Sequence, residues 1–128
     1  GIGYVLYNIH KTITKSKDSK SGKEELKNLD AVINSNVAAG KKPTLSSYEM
    51  STLANKLYTA MKGIGSDESA VYRVFASAKN DLDVLGIVKA FGVKDGETLG
   101  QWLTADLDEK EIKALNDLLA RKGIKYRF

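Results

Sequence analysis

Met61-Lys62-Gly63-Ile64-Gly65-Ser66-Asp67-Glu68 joins two apolar-periodic segments, and the way it is read decides the fold. Two glycines flank one apolar residue, which suits backbone that passes close to a neighbour or takes a positive φ. Ser66 reads as an N-cap, with Asp67 and Glu68 in the first turn, where negative charge complements the helix dipole. On residue types alone the stretch is first of all a turn between two helices.

Working outward, the same punctuation recurs. Upstream, Ser46 and Glu49 have the spacing of a capping box. After them Met50, Leu53, Ala54, Leu57, Tyr58 and Met61 fall at i, i+3, i+4, i+7, i+8 and i+11, one face of a helix. Downstream, the second helix carries Ala70, Val71, Val74, Phe75 and Ala78. Asn80 or Asp81 caps a third, with Leu82, Leu85, Val88 and Phe91, which stops at Gly92. Val93-Lys94-Asp95-Gly96 reads as a loop with an Asp-Gly turn. A short fourth helix holds Leu99, Trp102, Leu103 and Leu107. Asp108 and Glu111 open the fifth, with Ile112, Leu115, Leu118 and Leu119, closed by Gly123. Ile124-Lys125-Tyr126-Arg127-Phe128 alternates apolar and basic, as a segment lying extended on the body or on the arm would. No stripe is apolar all round, so residues 44–128 are expected to form an all-α, compact five-helix bundle. The apolar positions, Trp102 included, read as core.

Residues 1–43 read as a basic N-terminal arm. Its eight lysines face four acids, whereas residues 44–128 carry twelve of each sign, so the net charge of +4 belongs to the arm. Residues 2–9 are apolar with Tyr4 and Tyr7, and lysines follow at 11, 15, 17, 20 and 23. Tyrosines followed by lysines resemble the inner end of a membrane span. Eight residues fall short of the roughly 20 that a span needs. One expectation is therefore a removed membrane anchor upstream of Gly1; the other is that 2–9 pack on the body. Residues 15–23 read as linker. Glu24 to Asn34 reads as a short helix through Leu26, Leu29 and Ile33, broken at Asn34-Ser35-Asn36. Ala39 to Pro43 is a second linker.

Enzymatic chemistry finds little in these residues. His10 is the single histidine and lies in the arm, so the body holds no Ser/His/Asp set. With no cysteine, disulfides, thiolate chemistry and the usual zinc sites drop out. There is no P-loop and no GxGxxG, and no small-molecule substrate is evident. Asp67, Glu68, Asp108, Glu109 and Glu111 stand where helix starts want acids.

Leu57 to Glu68 resembles the start of an annexin repeat, in which an apolar helix ends in Ala-Met-Lys-Gly-x-Gly and Thr-Asp-Glu opens the next; Ser66 stands for the Thr. The resemblance runs from about Leu53 to about Leu119. It implies one annexin-like repeat and a Ca2+ site. In annexins, carbonyls of this loop bind calcium together with an acid about forty residues on, in a Leu-x-x-acid-Leu setting. Leu103-Thr104-Ala105-Asp106-Leu107 has that shape, 41 residues past Gly65. Position by position, the resemblance implies the carbonyls of Met61, Gly63 and Gly65 and the carboxylate of Asp106. Hard oxygen donors of this kind suit calcium, which takes roughly six to eight. Asp106 is one methylene shorter than the family's usual Glu, and the chain has one such unit where annexins carry four or more.

Two functions follow as expectations. The first is a non-enzymatic module that binds an anionic phospholipid surface through calcium, helped by the lysine arm. The second is a calcium-independent, membrane-tethered or assembly domain that holds an unknown protein. Nucleic acid is the weaker partner, because the arm's lysines are sparsely interleaved with aromatics for stacking.

Overall fold

The computed structural model describes residues 19–63 and 67–128 of the chain. Their order is α1 (Ser19–Ala38), α2 (Ser47–Lys62), α3 (Glu68–Ala76), α4 (Asp81–Phe91), β1 (Val93–Lys94), β2 (Glu97–Thr98), α5 (Leu99–Asp106) and α6 (Glu109–Arg121). The fold is all-α, and α2 to α6 are the five helices expected in 44–128.

The caps explain why these helices start where they do. Ser46 Oγ accepts from the Glu49 amide at 3.1 Å, while Glu49 Oε1 accepts from the Ser46 amide at 3.0 Å. Asp108 and Glu111 form the same reciprocal pair. Asn80, rather than Asp81, caps α4, its Oδ1 accepting from the Asp83 amide at 2.9 Å. The cap of α3 corrects the sequence reading: Asp67 Oδ1 accepts from the Ala70 amide at 3.1 Å, so Asp67 holds the position expected of Ser66. An aspartate caps as well as a serine and adds charge at the positive helix end. Ser66 itself lies outside the described residues.

The arm departs further from expectation. Ser19 to Lys23, read as linker, already belongs to α1, and the helix runs on through Asn34-Ser35-Asn36 to Ala38. Asn36 does not break it because its side chain turns inward. It is buried, and Nδ2 donates to the Val32 carbonyl at 2.8 Å, one turn back. Leu29 and Val32 join the core, and Asp30 pairs with Lys89 of α4 at 2.8 Å, so burial sustains a helix whose local propensity is weak. Val93 to Gly96, read as a loop, forms with Glu97 and Thr98 a minimal antiparallel hairpin pairing Val93 with Thr98 and Lys94 with Glu97. Asp95 and Gly96 both have positive φ, 52° and 83°, which matches the right-handed twist of the flanking strands.

The core is built from Leu57, Phe75, Leu85, Phe91, Leu103 and Leu115, all essentially inaccessible. α2 lies across α4 at Gly86, where a Cβ would run into the thioether end of Met50. Glycine in the interior of a helix costs about 1 kcal/mol relative to alanine, and here it makes room for the end of Met50. The tail lies extended on the body: Ile124, Tyr126 and Phe128 are buried while Lys125 remains exposed.

One carboxylate fastens the approach to α2. Asp83 is fully buried on α4. Its Oδ1 accepts from the amides of Thr44 at 2.7 Å and Leu45 at 2.9 Å. Its Oδ2 accepts from the Thr44 hydroxyl at 2.5 Å and the Lys79 amide at 2.8 Å. Burial pushes this carboxyl up, but the hydrogen bonds from Thr44, Lys79 and Leu45 outweigh it and hold the group below its ordinary 3.8.

Candidate functional site

α2 delivers Met61 to the turn with its side chain in the core and its carbonyl in the last helical turn, where carbonyls lack an intrahelical donor. Gly63 follows in extended conformation, φ −76° and ψ 178°, a geometry open to any residue. Among the described residues nothing lies within 4 Å of a Cβ placed there. Neither torsion nor crowding from the described chain therefore explains this glycine. Gly65, with Ile64 and Ser66, lies outside the described residues. The turn closes where the Asp67 amide donates to the Ala60 carbonyl at 3.1 Å.

Asp106 is the last residue of α5. It is half-buried, and its Oδ2 is shielded from solvent with no hydrogen-bond partner among the described residues. A shielded carboxylate oxygen without a donor is costly, and it is the kind of atom that a cation would satisfy. Among the described residues no three His, Cys, Asp or Glu side chains gather as a metal site, so any cation here depends on backbone carbonyls.

α2 and α5 meet one turn before their ends. The Tyr58 and Trp102 rings stand edge to face, 5.4 Å between centroids, and Phe91 contacts both at 6.3 Å. Trp102 Nε1 donates to the Lys94 carbonyl at 2.9 Å, and the Tyr58 hydroxyl donates to Asp95 Oδ2 at 3.2 Å, tying the hairpin to this cluster. The ammonium groups of Lys62 and Lys94 lie 5.0 and 5.5 Å from the Tyr58 ring centre. Its hydrogen bond with Tyr58, and the nearby Asp95 carboxylate, hold Lys62 above its ordinary value. The sequence reading missed this basic, aromatic flank. Its one signal was Asp95-Gly96, a two-residue hairpin turn between Lys94 and Glu97.

The acids at the helix starts form a second group. α3 and α6 run side by side in the same direction, with the Tyr72 hydroxyl donating to the Glu111 carbonyl at 3.1 Å and Lys122 Nζ donating to the Ala76 carbonyl at 2.9 Å. Both positive helix ends thus lie together, with Asp67, Glu68, Asp108 and Glu111 around them. A hydrogen bond to Glu111, its charge, and then burial and the charges of Asp108 and Asp67 raise Glu68 above its ordinary 4.5. Because the folded value is the higher one, the folded chain takes up this proton first. The stability so gained is complete below 4.5 and is lost as pH rises through the folded value. Carbon-detected NMR titration is expected to place the Glu68 carboxyl above 4.5, and Glu111→Gln to bring it down. A Glu68 indifferent to that substitution would mean that the two carboxyls do not face each other.

A stretch of 62 residues is 39% identical to annexin A6 of Mus musculus, covering 48% of this chain and 9% of that relative. The chain carries an annexin-like segment. No protein-family model matches the chain, and no solved structure matches it. The matched stretch is about half of this chain, and the chain spans only a small part of the relative's own length.

Proposed function

We propose that the annexin-like segment is a non-enzymatic binding module that takes Ca2+ at the α2–α3 turn and meets an anionic phospholipid surface through it. The observation carrying this reading is Asp106 Oδ2, shielded and without a donor among the described residues, at the position that the annexin pattern gives to the ligating acid. The carbonyls of Met61, Gly63 and Gly65 and the Asp106 carboxylate would hold the ion. Their chemistry fits: all are hard oxygens, and they leave sites for outside oxygens such as those of a phosphate. Bound calcium would supply a positive charge shared between protein and lipid phosphate. The chain's own residues do the rest. Met61 anchors the turn through its buried side chain, Gly63 leaves room for close approach, and Lys62 and Lys94 attract anionic headgroups at about 1 kcal/mol each near a charged surface.

Calorimetric titration of the full chain with calcium, with magnesium as control, tests the site. Saturable calcium binding is expected, weakened about tenfold or more in Asp106→Ala, a loss of at least about 1.4 kcal/mol. Co-sedimentation with phosphatidylserine vesicles should follow calcium in the same way. Absence of heat at millimolar calcium would end the ion reading. A calcium-independent, membrane-tethered or assembly domain for an unknown protein would then remain.

A further inference from the structure

α1 and α2 both pack on α4, and between them runs an apolar groove of about 420 Å³. Ile33, Val37, Leu45, Met50, Leu82 and Gly86 line it. Val37 is 54% exposed, and Tyr48, next to groove-lining Ser47, is 81% exposed. These are the large hydrophobic side chains that stand exposed among the described residues, and Val37 lines the groove itself. Scattered exposed apolar residues need no explanation, but an exposed apolar side chain continuous with an apolar groove extends a surface that something can cover.

The chain itself holds a matching segment. Ile2, Val5, Leu6 and Ile9 fall at i, i+3, i+4 and i+7, the anchor spacing of a helix laid in an apolar groove. Residues 1–18 lie outside the described structure, so reach must be judged from length. His10 to Asp18 are nine residues, which span about 30 Å when extended. From Ser19 to Ile33 α1 rises only about 21 Å. The connecting segment is long enough to run back along α1 and bring residues 2–9 to the groove. Tethering by so short a connection gives an effective concentration near the millimolar range, so that a modest contact suffices.

We propose that Ile2–Ile9 seat Val5, Leu6 and their neighbours in the α1–α2–α4 groove, making the arm part of the folded body. This stands apart from the calcium reading and survives its failure. Because the chain has no cysteine, two can be introduced in the full chain without competing thiols. Val5→Cys with Ser51→Cys is expected to form an intramolecular disulfide about tenfold or more faster than Val5→Cys with Lys113→Cys on exposed α6. Leu6→Asp is expected to shift the NMR amide signals of Val37 and Gly86 and to leave those of α6 in place. Equal cross-linking at both pairs, or disulfides formed only between chains in a concentration-dependent way, would overturn the proposal. The second of those outcomes would identify a second copy as the occupant. A Leu6→Asp spectrum unchanged at Val37 and Gly86 would overturn it equally.

Discussion

Asp83→Asn is expected to destabilise the protein by about 2–4 kcal/mol, because one substitution disturbs four hydrogen bonds at a fully buried carboxylate. A carboxylate accepts at both oxygens, whereas an amide accepts at one and donates at the other. Whichever way the substituted amide turned, either the Thr44 and Leu45 amides or the Lys79 amide would face an NH2 group. Hydrogen bonds to a charged acceptor are worth about 1.5–3 kcal/mol each, and a buried donor left unpaired costs a comparable amount. Urea unfolding at pH 7 would measure the loss. The pH dependence carries its own sign. The Asp83 carboxyl lies below its ordinary 3.8 in the folded chain, so its contribution is present above 3.8 and is lost as pH falls through the lower, folded value. The gap between the parent chain and Asp83→Asn is therefore expected to narrow in that acid range. Equal stabilities at pH 7 would show that the Thr44–Leu45 segment does not depend on this carboxylate.

Tyr126→Ala is expected to cost more, about 3–5 kcal/mol, the range for emptying a large aromatic site in a core. Tyr126 is fully buried, and its ring lies 4.8 Å from that of Phe128, which in turn meets Phe75 of α3 at 5.2 Å. The backbone here is pinned as well. Asp81 Oδ1 accepts from the amides of Lys125 and Tyr126, both at 2.9 Å. Asn116 brackets Phe128, its Oδ1 accepting from the Phe128 amide at 2.8 Å and its Nδ2 donating to the carbonyl at 3.1 Å. The tail thus joins the start of α4, the middle of α6 and the face of α3. Loss of Tyr126 should show as a Tm lowered by several degrees and as faster amide exchange in residues 124–128. A loss below about 1 kcal/mol would place the tail outside the cooperative core.

For the candidate site, the sequence pointed to the turn and to Asp106 through one family's pattern. Its own residue chemistry read the turn first of all as a simple helix connection, because a backbone carbonyl looks the same in every sequence. Only in three dimensions does Asp106 Oδ2 stand out, as a shielded oxygen without a donor among the described residues. Likewise Lys62 and Lys94 come from separate elements, 32 residues apart, and become one flank only through the rings of Tyr58, Phe91 and Trp102.

The sequence by itself determined the five helices of 44–128, their caps at Ser46 and Asp108, and their stops at Gly92 and Gly123. These depend on partners three or four residues away, and such contacts are written in local spacing. The tertiary structure decided the rest. It carried α1 through Asn34-Ser35-Asn36, because burying Leu29 and Val32 outweighs the weak helix propensity of asparagine. It set α2 against α4 at Gly86 and gave Asp83 partners as far as 39 residues away. It also laid α3 and α6 side by side with their acidic ends together. Contacts between distant residues form only once the helices are packed, and no periodicity along the chain records them.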